Sequence, residues 1–182
     1  MTEALVALAG PPGSGKSTAG RLAAGALGLE FVALGALFRA EADRRGVDLE
    51  AFSQIAERDL SIDRAIDAAL LAAARPGRLL DGRLSGALLR REGIACRYVV
   101  VTATEAVRAR RIAERDHRPL DDALARMRAR EASERRRYQA LYRIDLDRER
   151  PDLVIDSTER PASEVAGAIE RFVRAPEGPG RP

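Results

Sequence analysis

Residues 10–17 read Gly10-Pro11-Pro12-Gly13-Ser14-Gly15-Lys16-Ser17, and Thr18 follows. An apolar run, Ala4 to Ala9, leads into them. A helix-forming stretch, Ser17 to Leu27, leads away. Strand, glycine-rich turn, helix is an order few folds can accept. The turn has the spacing G-x-x-x-x-G-K-[ST]. Its glycines let backbone N–H groups turn inward around an anion. The helix behind it presents its positive end to the same point. Lys16 can then reach the β- and γ-phosphates of a nucleoside triphosphate, and the Ser17 hydroxyl can join a Mg²⁺ shell. Gly10 to Thr18 are therefore the candidate phosphate cradle.

Composition sharpens the role of Lys16. Of 31 basic residues in the 182-residue chain, 30 are Arg and one is Lys. GC-rich codon usage accounts for the arginine excess. The lone lysine stands where the loop needs a compact point charge, which planar Arg does not replace. One cysteine, Cys96, excludes an intrachain disulfide and fits a reducing cytoplasm. Cys96 reads as a small packed residue. The acidic N-terminus and the short first apolar run do not read as a secretion signal. No stretch nears the roughly 20 apolar residues of a membrane span.

The remaining chain alternates strands and helices. Glu30–Leu34 reads as a second strand and Leu37–Arg45 as a helix. Asp48 is expected to cap a helix from Leu49 to about Arg58, and Ser61 to cap another reaching Ala74. Arg78 to Gly82 reads as strand then turn, and Arg97–Thr102 as a strong strand. Thr104 is the expected cap of a helix to Asp116. Pro119 opens a further helix towards Tyr142. Asp152–Asp156 and Pro161–Arg174 close the pattern as strand and helix. The tail, 175–182, reads as disordered. This is an α/β chain: a parallel sheet with helices on both faces.

Residues 108–143 hold twelve Arg against six acids. An anionic ligand met locally, a salt-bridged solvated face and nucleic-acid binding all fit such a run. The last is disfavoured, since only Tyr138 and Tyr142 are there to stack on bases.

A triphosphate cradle serves switch GTPases, motors and small-molecule kinases alike. The guanine-reading Asn-Lys-x-Asp element cannot occur in a chain with no Asn and one Lys. A motor carries a hydrolytic strand followed by Glu. Here the third strand ends Leu79-Leu80-Asp81-Gly82-Arg83. Asp81 can hold metal-bound water and Arg83 can meet an acceptor phosphate; the same residues also fit an ordinary strand-to-helix turn. Arg130, Glu134 and Arg137, at i, i+4 and i+7, share a helix face. They read either as an arginine clamp over phosphates or as a salt-bridge ladder. Arg135 and Arg136 point elsewhere and are expected in solvent.

These motifs, with Gly35-Ala36-Leu37-Phe38-Arg39, Leu84-Ser85-Gly86, the run Arg130 to Tyr138, and Asp152 to Thr158, occur in the order seen in cytidylate kinases. The chain resembles the short, archaeal-type members over roughly residues 4–173. The resemblance implies a three-layer α/β/α P-loop kinase domain, 1–174, with a five-stranded parallel sheet. Core segments would be 1–34, 76–117 and 151–174, with a helical monophosphate-binding region at 35–75 and a helical lid at 118–145. It implies ATP and Mg²⁺ as cofactors, Ser17 and Asp81 at the metal, and CMP or dCMP as acceptor. Arg39, Asp81, Arg83, Glu134 and Arg137 would bind the acceptor; Lys16, Arg83, Arg130 and Arg137 would carry the catalytic charge. Glu134 stands where bacterial-type relatives have Asp, and Leu84 where they have a further Asp. A monomer is expected, with no nucleic-acid or membrane partner. Two alternatives stay open: a P-loop kinase of another small metabolite or nucleotide, and a non-catalytic nucleotide-binding module. His117, the one histidine, has no assigned role, since an ionised phosphate acceptor needs no strong base.

Overall fold

A computed structural model describes residues 3–176. Its strands are β1 (Val6–Ala9), β2 (Glu30–Ala33), β3 (Arg78–Asp81), β4 (Arg97–Thr102) and β5 (Leu153–Asp156). They form one sheet in the order β2-β3-β1-β4-β5, every pairing parallel. The helices are α1 (Lys16–Leu27), α2 (Leu34–Arg44), α3 (Leu49–Arg58), α4 (Ser61–Ala73), α5 (Ser85–Arg91), α6 (Glu105–Asp116), α7 (Leu120–Tyr142) and α8 (Ala162–Arg174). β1 is central, so the turn that follows it lies where connections leave for opposite sides of the sheet. That is where open α/β sheets bind ligands.

The two-residue period of the strands divides the core. Val6, Leu8, Leu79, Val99 and Val101 face α1 and α8, meeting Ala23, Leu27, Val165 and Ile169. Ala7, Ala9, Leu80 and Tyr98 face the other way, towards Leu88 and Leu89 of α5, Leu70 of α4 and Tyr138 of α7. A side chain on Gly86 would come within 2.0 Å of the Tyr98 ring, so α5 lies on β4 only because this position is bare. α5 has no counterpart in the sequence reading; seven residues are too few for a helical period to register.

The other boundaries agree within three residues, with two capping corrections. Asp48 caps α3 as expected, accepting from the Ala51 N–H at 2.8 Å. Ser61 does not cap α4. It is the first helical residue, and Asp59 accepts from both its N–H (3.1 Å) and its hydroxyl (2.5 Å), because a carboxylate two residues earlier is the better acceptor. Thr104 makes no side-chain cap to α6; its N–H donates instead to the Thr158 hydroxyl, tying α6 to the segment after β5. The tail expected at 175–182 lies outside the described residues from 177 onward. No helix among the described residues is long and apolar enough to cross a membrane.

The basic run resolves into pairs. Nine of the twelve arginines in 108–143 have a carboxylate within 4.0 Å. Arg135 and Arg136 are on the outside as expected, bonded to Asp147 and Glu57. Arg110, Arg111 and Arg143 are the members of the run without a carboxylate within 4.0 Å among the described residues.

Candidate active site

The turn after β1 is pinned from three sides. A Cβ on Gly10 would lie 2.1 Å from the Val101 carbonyl of β4, and one on Gly13 would lie 2.5 Å from that of Arg108. Both residues have φ values, +147° and +78°, that side chains rarely adopt. Arg108 donates to the Pro12 carbonyl (3.2 Å) and is itself held by Glu131. Ser157, just past β5, donates its hydroxyl to the Ser14 carbonyl at 2.8 Å. Lys16, Ser17 and Thr18 open α1, so their N–H groups have no acceptor within the helix. The loop is held in place with donors to spare.

Lys16 has no carboxylate within 4.0 Å among the described residues. Burial lowers its pKa; Asp81 pulls it up, and Arg83 and Arg130 press it down again. The ammonium therefore stands in positive surroundings that an anion would relieve. β3 runs beside β1 in register, pairing Asp81 with Leu8. This brings Asp81 next to the turn, where Oδ2 accepts from the Ser17 hydroxyl at 2.5 Å. Asp81 Oδ1 and Ser14 Oγ are enclosed and have no hydrogen-bond partner. An orphan carboxylate oxygen beside a hydroxyl fits Mg²⁺, which takes one or two protein oxygens and completes its shell with water and phosphate. No group of three or more His, Cys, Asp or Glu that could hold a metal ion is found among the described residues.

Around these groups is a cavity of about 730 Å³. Arg39, Arg83 and Arg130 line it with Lys16, Ser17 and Asp81. Arg39 has no carboxylate within 4.0 Å among the described residues; burial, then Arg130 and Arg115, push its pKa below the usual arginine value. Arg83 and Arg130 share Glu134: Arg83 Nε meets Oε2 at 2.8 Å and Arg130 Nε meets Oε1 at 2.9 Å. Glu134 is 3% exposed. Burial alone would raise its pKa, but Arg130, Arg83 and Arg137 outweigh burial and hold it at about 2.

Arg137 is the residue the sequence places differently. Grouped there with the phosphate arginines, it lies outside this cavity. Its Nε donates to Asp63 of α4 at 2.8 Å, because a buried acid on the facing helix claims it. The expected ladder has one rung, Arg130–Glu134, and not the second.

Three further arginines line the cavity without having been singled out: Arg111, Arg115 and Arg160. Arg111 donates to the Ser157 hydroxyl (3.0 Å) and carbonyl (2.8 Å). The signal for two of them is present on α6, where Arg108, Arg111 and Arg115 fall at i, i+3 and i+7 on one face. His117 is exposed at the end of α6, and Arg64 is exposed on α4.

The model of a family described as "AAA domain" matches residues 9–128. The cytidylate kinase of Methanococcus vannielii is 36% identical over 173 residues, covering 93% of this chain and 99% of that protein. That of Pyrobaculum islandicum is 39% identical over 156 residues, covering 85% of this chain and 84% of its own. Shikimate kinase from Bacteroides thetaiotaomicron shares the fold with a TM-score of 0.62 at 12% identity, covering 94% of this chain and 99% of that one. With the cradle, the Ser17–Asp81 pair and the arginine crown in one cavity, and with such identity along nearly its whole length, the chain belongs to the cytidylate kinase family of P-loop kinases.

Proposed function

We propose that this chain transfers the γ-phosphoryl group of ATP to CMP or dCMP. The observation that carries this reading is the Lys16 ammonium, with no carboxylate within 4.0 Å among the described residues, in the same cavity lining as the Ser17–Asp81 pair and Arg39, Arg83 and Arg130. Lys16 and the free N–H groups opening α1 would hold the donor phosphates. Arg111 and Arg160 would flank the rest of the donor nucleotide. Arg39 and Arg83 would grip the acceptor 5′-phosphate, and Arg130 would lie over the group in transit. Ser17 and Asp81 would hold Mg²⁺, which supplies charge neutralisation at the phosphates when bound. The protein's own work is alignment and positive charge. The acceptor oxygen is already ionised at neutral pH, so no residue is needed to remove a proton. We take 35–75 as the acceptor region and 118–145 as the lid of one kinase domain, closing to exclude water.

The test is ADP release from Mg-ATP in the presence of CMP, dCMP, UMP, AMP, GMP or plain alcohols. CMP-dependent ADP is the expected result. Silence with every monophosphate would overturn the reading. Lys16→Ala should lower transfer by about a hundredfold or more, in line with loss of a charge aimed at the reacting phosphates. Its circular dichroism should be unchanged, because Lys16 makes no ion pair that folding needs.

A further inference from the structure

The glycine-rich turn is gripped by its carbonyls. Arg108 of α6 donates through Nη1 to the Pro12 carbonyl at 3.2 Å, and the Ser157 hydroxyl donates to the Ser14 carbonyl at 2.8 Å. A peptide unit is planar and trans, so its C=O and its N–H point opposite ways. Fixing the Pro12 carbonyl therefore fixes the direction of the Gly13 N–H, and fixing that of Ser14 fixes the Gly15 N–H. The intervening N–H, of Ser14, is taken by the Pro11 carbonyl at 3.3 Å. Those of Gly13 and Gly15 donate to no protein group among the described residues, and both glycines line the phosphate cavity.

Ser157 is itself firmly held. It is 2% exposed, and its N–H donates to the Thr102 carbonyl at the end of β4 at 2.8 Å. Arg111 donates to its hydroxyl at 3.0 Å and to its carbonyl at 2.8 Å. A hydroxyl has one proton to give, and a guanidinium accepts none. Arg111 thus occupies an acceptor position on the oxygen and leaves the proton for Ser14. The bond that results is buried and spans 143 residues of sequence. Arg108 is braced in the same manner, by Glu131 of α7 and by the Ala103 carbonyl (3.2 Å).

A free backbone N–H at such a cavity is a donor for a phosphate oxygen, and several together make an anion-binding nest. We propose that Ser157 is a positioning residue of the donor site: by holding the Ser14 carbonyl, its hydroxyl aims the Gly15 N–H at the donor phosphates. Arg108 sets the Gly13 N–H separately, through a different carbonyl. This rests on the ATP-binding part of the reading above and deepens it, naming a residue that acts on the phosphates through the backbone of the cradle.

The experiment titrates the enzyme with Mg-ADP, following the heat of binding by calorimetry and the backbone amides by NMR. In wild type the Gly13 and Gly15 N–H resonances should both move downfield. In Ser157→Ala the Kd for ADP should rise about 10-fold, the low end for a hydrogen bond to a charged group. The Gly15 shift should shrink while the Gly13 shift stays at its wild-type size. Ser157→Thr, which keeps the hydroxyl, should restore both readouts. Inorganic tripolyphosphate, which has neither base nor sugar, should lose the same factor as ADP. An unchanged Kd in a folded Ser157→Ala overturns the proposal. So does a Gly15 shift that shrinks only together with that of Gly13, which is general loosening of the turn. A loss confined to ADP and absent for tripolyphosphate also overturns it, since Ser157 would then act on the nucleoside through Arg111. If Ser157→Ala fails to fold, wild type decides: heat on adding ADP with an unmoved Gly15 amide overturns the inference alone. Neither heat nor shift in wild type is a different result, and overturns the ATP-binding reading and this inference with it.

Discussion

Replacing Glu134 by Gln removes one charge and keeps the size of the side chain. In the native protein that charge is shared by Arg83 and Arg130 in a buried triad. The drop in its pKa from 4.5 to about 2 corresponds to about 3 kcal/mol of stability at neutral pH. The sign follows from a depressed acid. The contribution is complete above 4.5 and is lost as the pH falls through about 2. Mutation data give a similar size by another route, since breaking a buried ion pair costs about 3–5 kcal/mol. For a chain of this length each kcal/mol lowers Tm by about 2–4 °C. Glu134→Gln should therefore melt about 10 °C below wild type at pH 7, and the gap should close on titration towards pH 2. Phosphate should restore part of the loss, because Arg83 and Arg130 then have an anion again. Thermal unfolding followed by circular dichroism, with and without inorganic phosphate, reads all three. An equal Tm at pH 7, or a gap indifferent to acid, would refute the triad as a stabilising unit. A variant that gains nothing from phosphate beyond the wild-type gain would refute the idea that Glu134 stands in for phosphate.

Two further substitutions test the scaffold. Asp67 is 8% exposed, and burial lifts its pKa from 3.8 to about 6 despite a 2.8 Å hydrogen bond from the Tyr142 hydroxyl. The folded state then holds that proton more tightly than the unfolded chain, so its stabilising effect is complete below pH 3.8 and lost as the pH rises through 6. Asp67→Asn should melt above wild type at pH 8, by up to about 3 kcal/mol, and match it at pH 4; an equal gap at both would count against the burial argument. Gly13→Ala would put a methyl group 2.5 Å from the Arg108 carbonyl at φ +78°. The backbone term alone costs about 1–2 kcal/mol, so a lower Tm and weakened ATP binding by calorimetry are expected, and normal binding would contradict the close fit of the loop on α6.

What the sequence reveals of this molecule is what its local signals carry. The cradle is written in nine consecutive residues, and the strands are short apolar runs between breakers. The element order alone then implies a parallel sheet. Contacts between distant segments have no such signature. Glu134 meets Arg83 across 51 residues, and Arg137 meets Asp63 across 74. Spacing proposes the ladder Arg130–Glu134–Arg137, but three residues turn a helix side chain by about 60° from its start. That is enough for Glu134 to face the end of β3 while Arg137 faces α4. On α4 itself, Ile62, Ile66 and Leu70 mark the buried stripe, with Asp63 and Asp67 one position along at each turn. Acids flanking an apolar stripe are the ordinary mark of a face at the water's edge. Here α7 covers that edge, seating Arg137 on Asp63 and Tyr142 on Asp67. Neither helix declares the pairing alone, because each side chain has its polar partner on the other. Burial of two carboxylates is a property of the docked helices.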